Sequence, residues 1–143
     1  MASLATAVSA IAVIQVLGKV FEVCQKYYFA AKDARKDIRR LSNELTELSD
    51  ILEKIEELAK SPDPERLPIL TRLSNPEGVL KQCMVDLEEL AAKLVKGHTK
   101  DKMKRFGLGA LEWPINAKDV DKIVLAIGRH KETLSLALTV DQM

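Results

Sequence analysis

The chain has 143 residues, which is enough for one domain with a sizeable hydrophobic core. Hydrophobic residues make up 47% and charged residues 30%, which excludes a disordered chain and a polytopic membrane protein. The formal net charge is only +1, but an acidic block over 44–92 lies between basic blocks over 1–43 and 93–131. Aromatic residues make up 4%, so the core must be aliphatic, which favours packed helices over a sheet.

The first predicted helix spans about 2–31, and no side chain before Lys19 carries a charge. A helix that is apolar nearly all round lies either at the centre of a bundle or in lipid. A secretory signal peptide is excluded because no basic residue precedes the apolar run. A constitutive membrane anchor is disfavoured because three Ser/Thr side chains and Gln15 interrupt the run. We therefore expect this helix to rest in the core while remaining apolar enough to enter lipid.

Three further long helices follow from apolar residues that recur every three or four positions, with a heptad-like seam in the second helix. The predicted elements, in order, are a helix over 32–60, a short helix or turn over 65–73, a helix over 77–95 ended by Gly97, an irregular stretch over 98–115, and a helix from the N-cap Asn116 to about Val140. The sequence therefore predicts an all-α fold, a helical bundle of four main helices plus one or two short connecting helices.

No pattern of residues points to catalysis, so we expect no enzyme activity, no cofactor and no metal. The two histidines, His98 and His130, have no zinc-binding spacing, and both are expected to be exposed basic residues. A Walker sequence for phosphate binding does not occur in the chain. Cys24 and Cys83 are too few for a disulfide framework and are expected to be reduced core residues of a cytosolic protein.

Two clusters of basic residues stand out in the sequence. The first consists of Lys96, Lys100, Lys102, Lys104 and Arg105, and the second of Lys32, Arg35, Lys36, Arg39 and Arg40. Both clusters have a plain explanation as solvated helix faces. The alternative is attraction to an anionic membrane, worth about 1 kcal/mol for each basic residue near the surface. We expect no nucleic-acid partner, because the pI of 7.7 is low and aromatic residues for base stacking are scarce.

Three features occur together along the chain. They are the uncharged segment Met1–Phe21, the leucine-rich helix that begins at Ile38-Arg39-Arg40-Leu41 and continues through Leu52, and the Leu111-Glu112-Trp113-Pro114 segment before an apolar pattern from Val120 to Leu138. This pattern resembles the HeLo-like N-terminal domains of fungal STAND (NLR-like) receptors and of fungal cell-death effectors, over nearly the whole chain. Residues 1–143 would then be a single HeLo-like domain, the N-terminal part of a longer protein.

The resemblance implies regulated cell death at the plasma membrane by a domain that is cytoplasmic at rest. Activation would come from a C-terminal NLR or amyloid-motif region outside this chain, which brings copies together and releases the N-terminal helix into the bilayer. The implied partners are anionic membrane lipids, further copies of the chain and that C-terminal region. The implied membrane-inserting residues are Leu4, Val8, Ile11, Ile14, Leu17 and Phe21, with Lys96, Lys100, Lys102, Lys104 and Arg105 at the lipid headgroups.

Trp113 and Pro114 are expected to be structural, because proline breaks the chain before the last helix and tryptophan can plug the end of the bundle. The chain departs from the family in one respect: no acidic residue precedes Glu22, so a mechanism that needs a charge in the inserted helix lacks one here. The alternative function is a helical protein–protein adaptor or oligomerisation domain of an NLR-like receptor, without membrane activity. Its second helix would then pair with a partner helix through the heptad-like seam.

Overall fold

A computed structural model describes residues 2–30, 32–60, 78–104 and 113–142, and these residues form an all-α helical bundle. Helix α1 spans Ala2–Ala30, a 3-10 turn spans Lys32–Ala34, α2 spans Arg35–Lys60, α3 spans Val79–Lys104 and α4 spans Ala117–Gln142. The predicted fold class of four main helices is confirmed. The short helix expected over 65–73 lies outside the described residues.

Helix α2 lies between α1 and α4 and contacts both. It runs antiparallel to α1, because only the short 3-10 turn and one further residue separate them. It runs parallel to α4: Asp121 near the start of α4 contacts Arg40 near the start of α2, and Lys131 further along α4 contacts Glu44 and Glu47.

Helix α3 packs against α1 and runs parallel to it. The Tyr27 hydroxyl, near the end of α1, donates a hydrogen bond of 2.8 Å to the Leu94 carbonyl. Asp86, about two turns earlier in α3, contacts His130 in the middle of the bundle. The final turns of α1 and α3 and the first turns of α2 and α4 therefore lie at the same end of the bundle.

The core is one cluster of aliphatic side chains that runs along the bundle axis. Helix α2 supplies its centre, through the fully buried residues Leu41, Leu45, Leu48, Leu52 and Ile55. Each large aliphatic side chain buried in this way contributes about 1.5–3 kcal/mol to folding. The heptad-like seam of α2 is thus used inside the domain.

Helix α3 continues through Gly97 to Lys104, so the expectation that Gly97 ends it is wrong. A glycine inside a helix costs only about 1 kcal/mol relative to alanine. The lysines and the methionine that follow Gly97 are good helix formers and offset this cost. Residues 98–104, predicted to be irregular, are therefore helical, and His98 lies within α3.

Asn116 caps α4 as predicted. The Asp119 backbone N–H donates a hydrogen bond of 2.8 Å to Asn116 Oδ1, which satisfies one of the N–H groups left without a partner in the first turn. Just before the cap, Pro114 is exposed and Ile115 is buried. Half-buried Trp113 packs edge to face on Tyr27, with ring centroids 5.2 Å apart.

Candidate functional site

Helix α1 buries one narrow face against α2 and α3. The buried residues recur every three or four positions, and they are Ala10, Val13, Leu17, Val20, Cys24 and Tyr27. This spacing keeps all of them on one side of a helix with 3.6 residues per turn. The bundle therefore needs only one side of α1 for its core.

The opposite side of α1, which we call the outer face, is exposed although it carries no charge before Lys19. Val8 is 60% exposed, Gln15 and Gly18 are exposed, and Ile11 is half-buried. A methyl group added to Gly18 would meet no side chain or neighbouring helix within 4 Å among the described residues. The solvent face of a bundle helix normally carries charged side chains, so this outer face is unusual for a helix with a purely structural role.

The segment Val8–Phe29 is long and apolar enough to cross a membrane. It has 22 residues, a mean hydropathy of 1.5, and only 28% of it is buried in the bundle. A helix of this length spans about 33 Å, and the hydrocarbon core of a bilayer is about 30 Å thick. The core helix of a soluble protein and a signal sequence meet the same criteria of length and composition. What sets α1 apart is the outer face, which is exposed and carries no charged side chain before Lys19.

The implied membrane-inserting residues lie on different sides of α1. Leu17 is buried in the core, Val8 is exposed, and Ile11, Ile14 and Phe21 are half-buried at the borders between the two faces. The side chain of Leu4 lies outside the described part of the chain. Because α1 is apolar nearly all round, its periodicity alone did not separate the core face from the outer face.

The topology gives the bundle a basic end and an acidic end. The basic end consists of the helical segments 19–30, 32–44, 93–104 and 117–123, which hold 14 Lys/Arg and 7 Asp/Glu residues. The acidic end consists of the segments 2–18, 45–60, 79–92 and 124–142, which hold 5 Lys/Arg and 10 Asp/Glu residues. The two basic clusters, distant in sequence, come to the same end because α3 runs parallel to α1.

The implied headgroup cluster belongs to this basic end. Lys96, Lys100, Lys102 and Lys104 lie in the last turns of α3, while their side chains and Arg105 lie outside the described residues. Helix α1 begins at Ala2, roughly 35–40 Å from this end at a rise of 1.5 Å per residue. The cluster therefore lies at the opposite end from the N-terminus of the helix that it was expected to assist.

Aromatic and cationic side chains interlock where α1 meets α2. The guanidinium carbons of Arg35 and Arg39 lie 5.0 Å and 5.8 Å from the centroid of the Tyr28 ring. Arg35 Nε donates to the Tyr28 carbonyl at 2.9 Å, and Arg39 donates to the Tyr28 hydroxyl at 2.6 Å. Phe29 packs edge to face on Tyr28 and is 68% exposed. Two fixed cations thus lie beside an exposed phenyl ring.

Ion pairs fasten α4 to α2. Lys131 Nζ lies 2.7 Å from Glu44 Oε2 and also donates a hydrogen bond to Glu47. Burial alone would lower the pKa of the Lys131 ammonium, but the hydrogen bonds to the two carboxylates outweigh burial and raise that pKa. The sequence gives no sign of this cluster, because Lys131 and Glu47 are 84 residues apart and no local pattern connects them.

His130 is not the exposed basic residue that the sequence predicted. Its side chain is only 13% exposed, and its Nε2 lies 2.6 Å from Asp86 Oδ2. The pair borders an apolar cleft of about 150 Å³ between α3 and α4, with Leu87 and Ile127 among the lining residues. Because Arg129 and Lys131 flank it, His130 was predicted to lie in an exposed basic stretch. Consecutive residues of a helix point 100° apart, however, so a residue between two basic ones can still be largely buried.

No group of three or more His, Cys, Asp or Glu side chains in the described segments could hold a metal ion. No family model, no curated protein and no solved structure matches the chain. The outer face of α1 and the basic end are the two features of the described residues that point to a function.

Proposed function

We propose that this chain is a membrane-targeting cell-death execution domain, which inserts its N-terminal helix into a bilayer after copies are brought together. The observation that supports it is α1, a helix of membrane-spanning length whose exposed outer face carries no charged side chain before Lys19. The resemblance to HeLo-like domains supplies the context of regulated cell death, the plasma membrane as target and a C-terminal sensor or amyloid region as trigger.

The bundle retains α1 at rest because a lone helix gains too little from lipid. The nine strongly apolar residues from Leu4 to Phe21 contribute roughly −3 to −5 kcal/mol, at about −0.3 to −0.6 kcal/mol each. When α1 leaves, the leucines of α2 that it covers meet water, at a cost of about 1.5–3 kcal/mol each. Two or three such leucines cancel the gain, so a single copy keeps its helix packed in the bundle.

Clustering changes this balance. Neighbouring copies can cover the apolar surface that α1 leaves behind, which removes most of the cost of release. Several inserted helices can also turn Ser3, Thr6 and Ser9 towards one another, where hydroxyl groups pair across helices and tolerate water. Permeabilisation is therefore expected of the oligomer and not of the monomer.

Dye leakage from anionic liposomes tests this proposal, with the full chain fused to an oligomerising scaffold. Val8→Lys is the informative variant, because an exposed side chain can be replaced without disturbing the core. A lysine within the Ala2–Phe21 segment costs up to about 3 kcal/mol in a membrane, so leakage should slow by up to about a hundredfold. Leu136→Lys is the matched control, since Leu136 is equally exposed but belongs to α4, and its leakage should equal that of the wild type.

Leakage by Val8→Lys at the wild-type rate would rule out insertion of this segment. Circular dichroism on the same samples establishes that both variants are folded. Ile11→Lys should act in the same direction, but its side chain is half-buried, so its folding needs the same check. A chain without residues 2–21 should not cause leakage either, although it also loses part of the core.

A protein–protein adaptor is the second candidate function. The seam of α2 lies in the core, so a partner helix cannot bind there while the bundle is intact. The apolar cleft between α3 and α4 is the observation that favours this candidate, because an amphipathic helix binds such grooves through its apolar face. An adaptor should cause no leakage from liposomes in any oligomeric state, and the leakage assay therefore separates the two functions.

A further inference from the structure

We propose that the basic end is a docking surface for an anionic lipid bilayer, centred on Phe29, Lys36 and the cations of Arg35 and Arg39. This inference rests on the proposed membrane function, but it assigns a surface and a step that are separate from insertion of α1. Docking holds the intact bundle on the bilayer, before any helix is released.

The separation of charge along the bundle axis provides the first argument. A net charge of +1 gives the whole chain almost no attraction to an anionic surface. A flat bilayer, however, meets only one end of the bundle, and salt screens charges beyond a Debye length of about 10 Å. The basic end carries twice as many Lys/Arg as Asp/Glu residues, so the bilayer attracts this end and repels the other.

Phe29 provides the second argument. Its phenyl ring is 68% exposed at the last turn of α1, where it packs edge to face on Tyr28. Aromatic rings flanked by Lys and Arg are typical of surfaces that lie at the boundary between headgroups and acyl chains. Water penalises this ring in the free protein, and a bilayer interface removes the penalty.

The rigidity of the neighbouring cations provides the third argument. Arg35 and Arg39 are both held against the Tyr28 ring, and each also donates a hydrogen bond to Tyr28. Lipid phosphates that meet these guanidinium groups do not have to order two flexible side chains first, so less entropy is lost on binding. Lys36 and, on α3, Lys93 are exposed at the same end and add further positive charge.

Part of the positive charge of this end is already neutralised within the bundle. Lys26 pairs with Glu22 at 3.9 Å, and Arg40 pairs with Asp121 at 2.6 Å. The positive charge where α1 meets α2 is therefore too small to hold a bilayer by itself, and the positive charge of the α3 segment 93–104 has to add to it. A bilayer can contact both at once because it is broad and flat.

A single-stranded nucleic acid would need a groove with several stacking aromatics, whereas Phe29 is the one exposed large aromatic in the described segments.

Docking by the basic end fixes the orientation of α1. The helix then points away from the bilayer, and its first residues lie roughly 35–40 Å from the surface, at 1.5 Å per residue. Insertion requires α1 to leave the bundle and to turn about the 3-10 segment Lys32–Ala34, which connects it to α2. Docking and insertion are thus two steps that depend on different residues.

Co-sedimentation of the unclustered chain of residues 1–143 with vesicles tests docking without insertion. The vesicles are an equimolar mixture of phosphatidylserine and phosphatidylcholine, or phosphatidylcholine alone. Lys36→Glu is compared with Lys54→Glu, because both lysines are exposed, both belong to α2, and they lie five turns apart on the same side of that helix. Phe29→Ser is compared with Leu136→Ser, which removes an equally exposed apolar side chain at the acidic end.

We expect Lys36→Glu to weaken binding to the anionic vesicles about tenfold, since it removes one attraction and adds one repulsion. Phe29→Ser should weaken binding about fivefold, and the two control variants should change it by less than twofold. Neutral vesicles should bind no form of the chain. Equal effects of Lys36→Glu and Lys54→Glu, or wild-type binding by Phe29→Ser, would overturn the assignment of the basic end.

The same samples distinguish this inference from the proposed function. Val8→Lys should dock as the wild type does, although it fails in the leakage assay. Weak docking by Val8→Lys together with normal docking by Lys36→Glu would place the first membrane contact at the start of α1 and refute docking by the basic end. Equally tight binding to single-stranded RNA would assign the basic end to nucleic acid and would also refute it. In either case leakage by the clustered chain still decides the proposed function by itself.

Discussion

Helices α1 and α4 both pack along α2, but they are held there by different kinds of contact. Helix α4 combines buried aliphatic residues with the ion pairs of Lys131 to Glu44 and Glu47 and of Arg40 to Asp121. Helix α1 meets α2 through aliphatic contacts along most of its length, and its first 18 residues carry no charged side chain at all. Its last turn is tied to α2 by the polar contacts of Tyr28 with Arg35 and Arg39.

The proposed release of α1 while α4 stays in place requires such a difference. Ion pairs and hydrogen bonds are directional, so they fix the register of α4 and lose their energy as soon as it shifts. Aliphatic contacts depend on buried area and not on direction, so a lipid or a neighbouring copy can replace them. Among the described residues, α1 is therefore held mainly by non-directional contacts, and the directional contacts of Tyr27 with α3 and of Tyr28 with α2 lie in its last turn.

The largest predicted effect concerns the face of α1 that is buried against α2 and α3. Leu17→Ala removes a fully buried side chain and should lower the free energy of unfolding by about 2.5–4 kcal/mol, through lost burial and a residual cavity. Val8→Ala, on the outer face of the same helix, should change it by less than about 0.5 kcal/mol. Urea denaturation followed by circular dichroism measures both. Equal losses for the two variants would mean that the outer face is also covered in solution.

The next prediction concerns the polar contacts of α4. Lys131→Met should destabilise the bundle by about 2 kcal/mol, because it leaves the half-buried carboxylate of Glu44 without its cation. Lys122→Met is the control, since Lys122 is exposed on the same helix, and its effect should stay within about 0.5 kcal/mol. The same denaturation experiment applies. A loss for Lys131→Met as small as that for Lys122→Met would show that α4 is held by its aliphatic contacts alone.

Much of this architecture could be predicted from the sequence. The four helices, the Pro-rich end of α2 and the Asn116 cap follow from local signals, because apolar periodicity, prolines and cap residues act within a few positions. The helix end at Gly97 was predicted wrongly, because one glycine is a weak signal that its neighbours can override.

The features that bear most on function were not visible in the sequence. The separation into a basic and an acidic end depends on α3 running parallel to α1, which no short pattern encodes. The contact of Asp86 with His130 joins residues 44 positions apart, and burial of His130 became evident only from the packing of α3 and α4. The outer face of α1 could not be separated from its core face, because both are apolar.

A smaller effect is expected on the pH dependence of stability, and it comes from Cys83, a buried core residue of α3. Burial, assisted by nearby Asp86, raises the pKa of the Cys83 thiol from 9.0 to about 12. The unfolded chain ionises this thiol near pH 9 and the folded chain does not, so the stabilisation is complete below pH 9 and declines between pH 9 and 12. At pH 10 the loss should be about 1.4 kcal/mol relative to pH 8.

Burial also raises the pKa of the Cys24 thiol to about 12, so the decline of the wild type between pH 8 and pH 10 contains the losses of both thiols. Urea denaturation at the two pH values therefore measures the Cys83 share as the difference between the wild type and Cys83→Ala. The variant has its own stability at pH 8, but its decline towards pH 10 should be smaller than that of the wild type by the same amount. Identical declines would show that water reaches this part of the core. Reaction with a thiol reagent at pH 8 should likewise be slow until the chain is unfolded, because Cys83 is buried.

The smallest predicted effect on stability is a gain. Gly18→Ala should stabilise the bundle by about 0.5–1 kcal/mol, because alanine loses less backbone entropy in a helix and its methyl group points into open space. Gly128→Ala is the matched variant on α4, where the added methyl also meets nothing within 4 Å among the described residues, and it should give a similar gain. Thermal unfolding monitored by circular dichroism measures both.

Leakage by the clustered chain then separates the two glycines. If inserted copies of α1 approach one another through the outer face, a glycine at position 18 permits close contact between the helices, and Gly18→Ala should fold better yet cause slower leakage. Gly128→Ala should leak like the wild type, since α4 stays in the bundle. Leakage that falls equally in both variants would trace the effect to the greater stability of the resting fold. Leakage that is unchanged in both would show that the inserted helices meet through another face of α1.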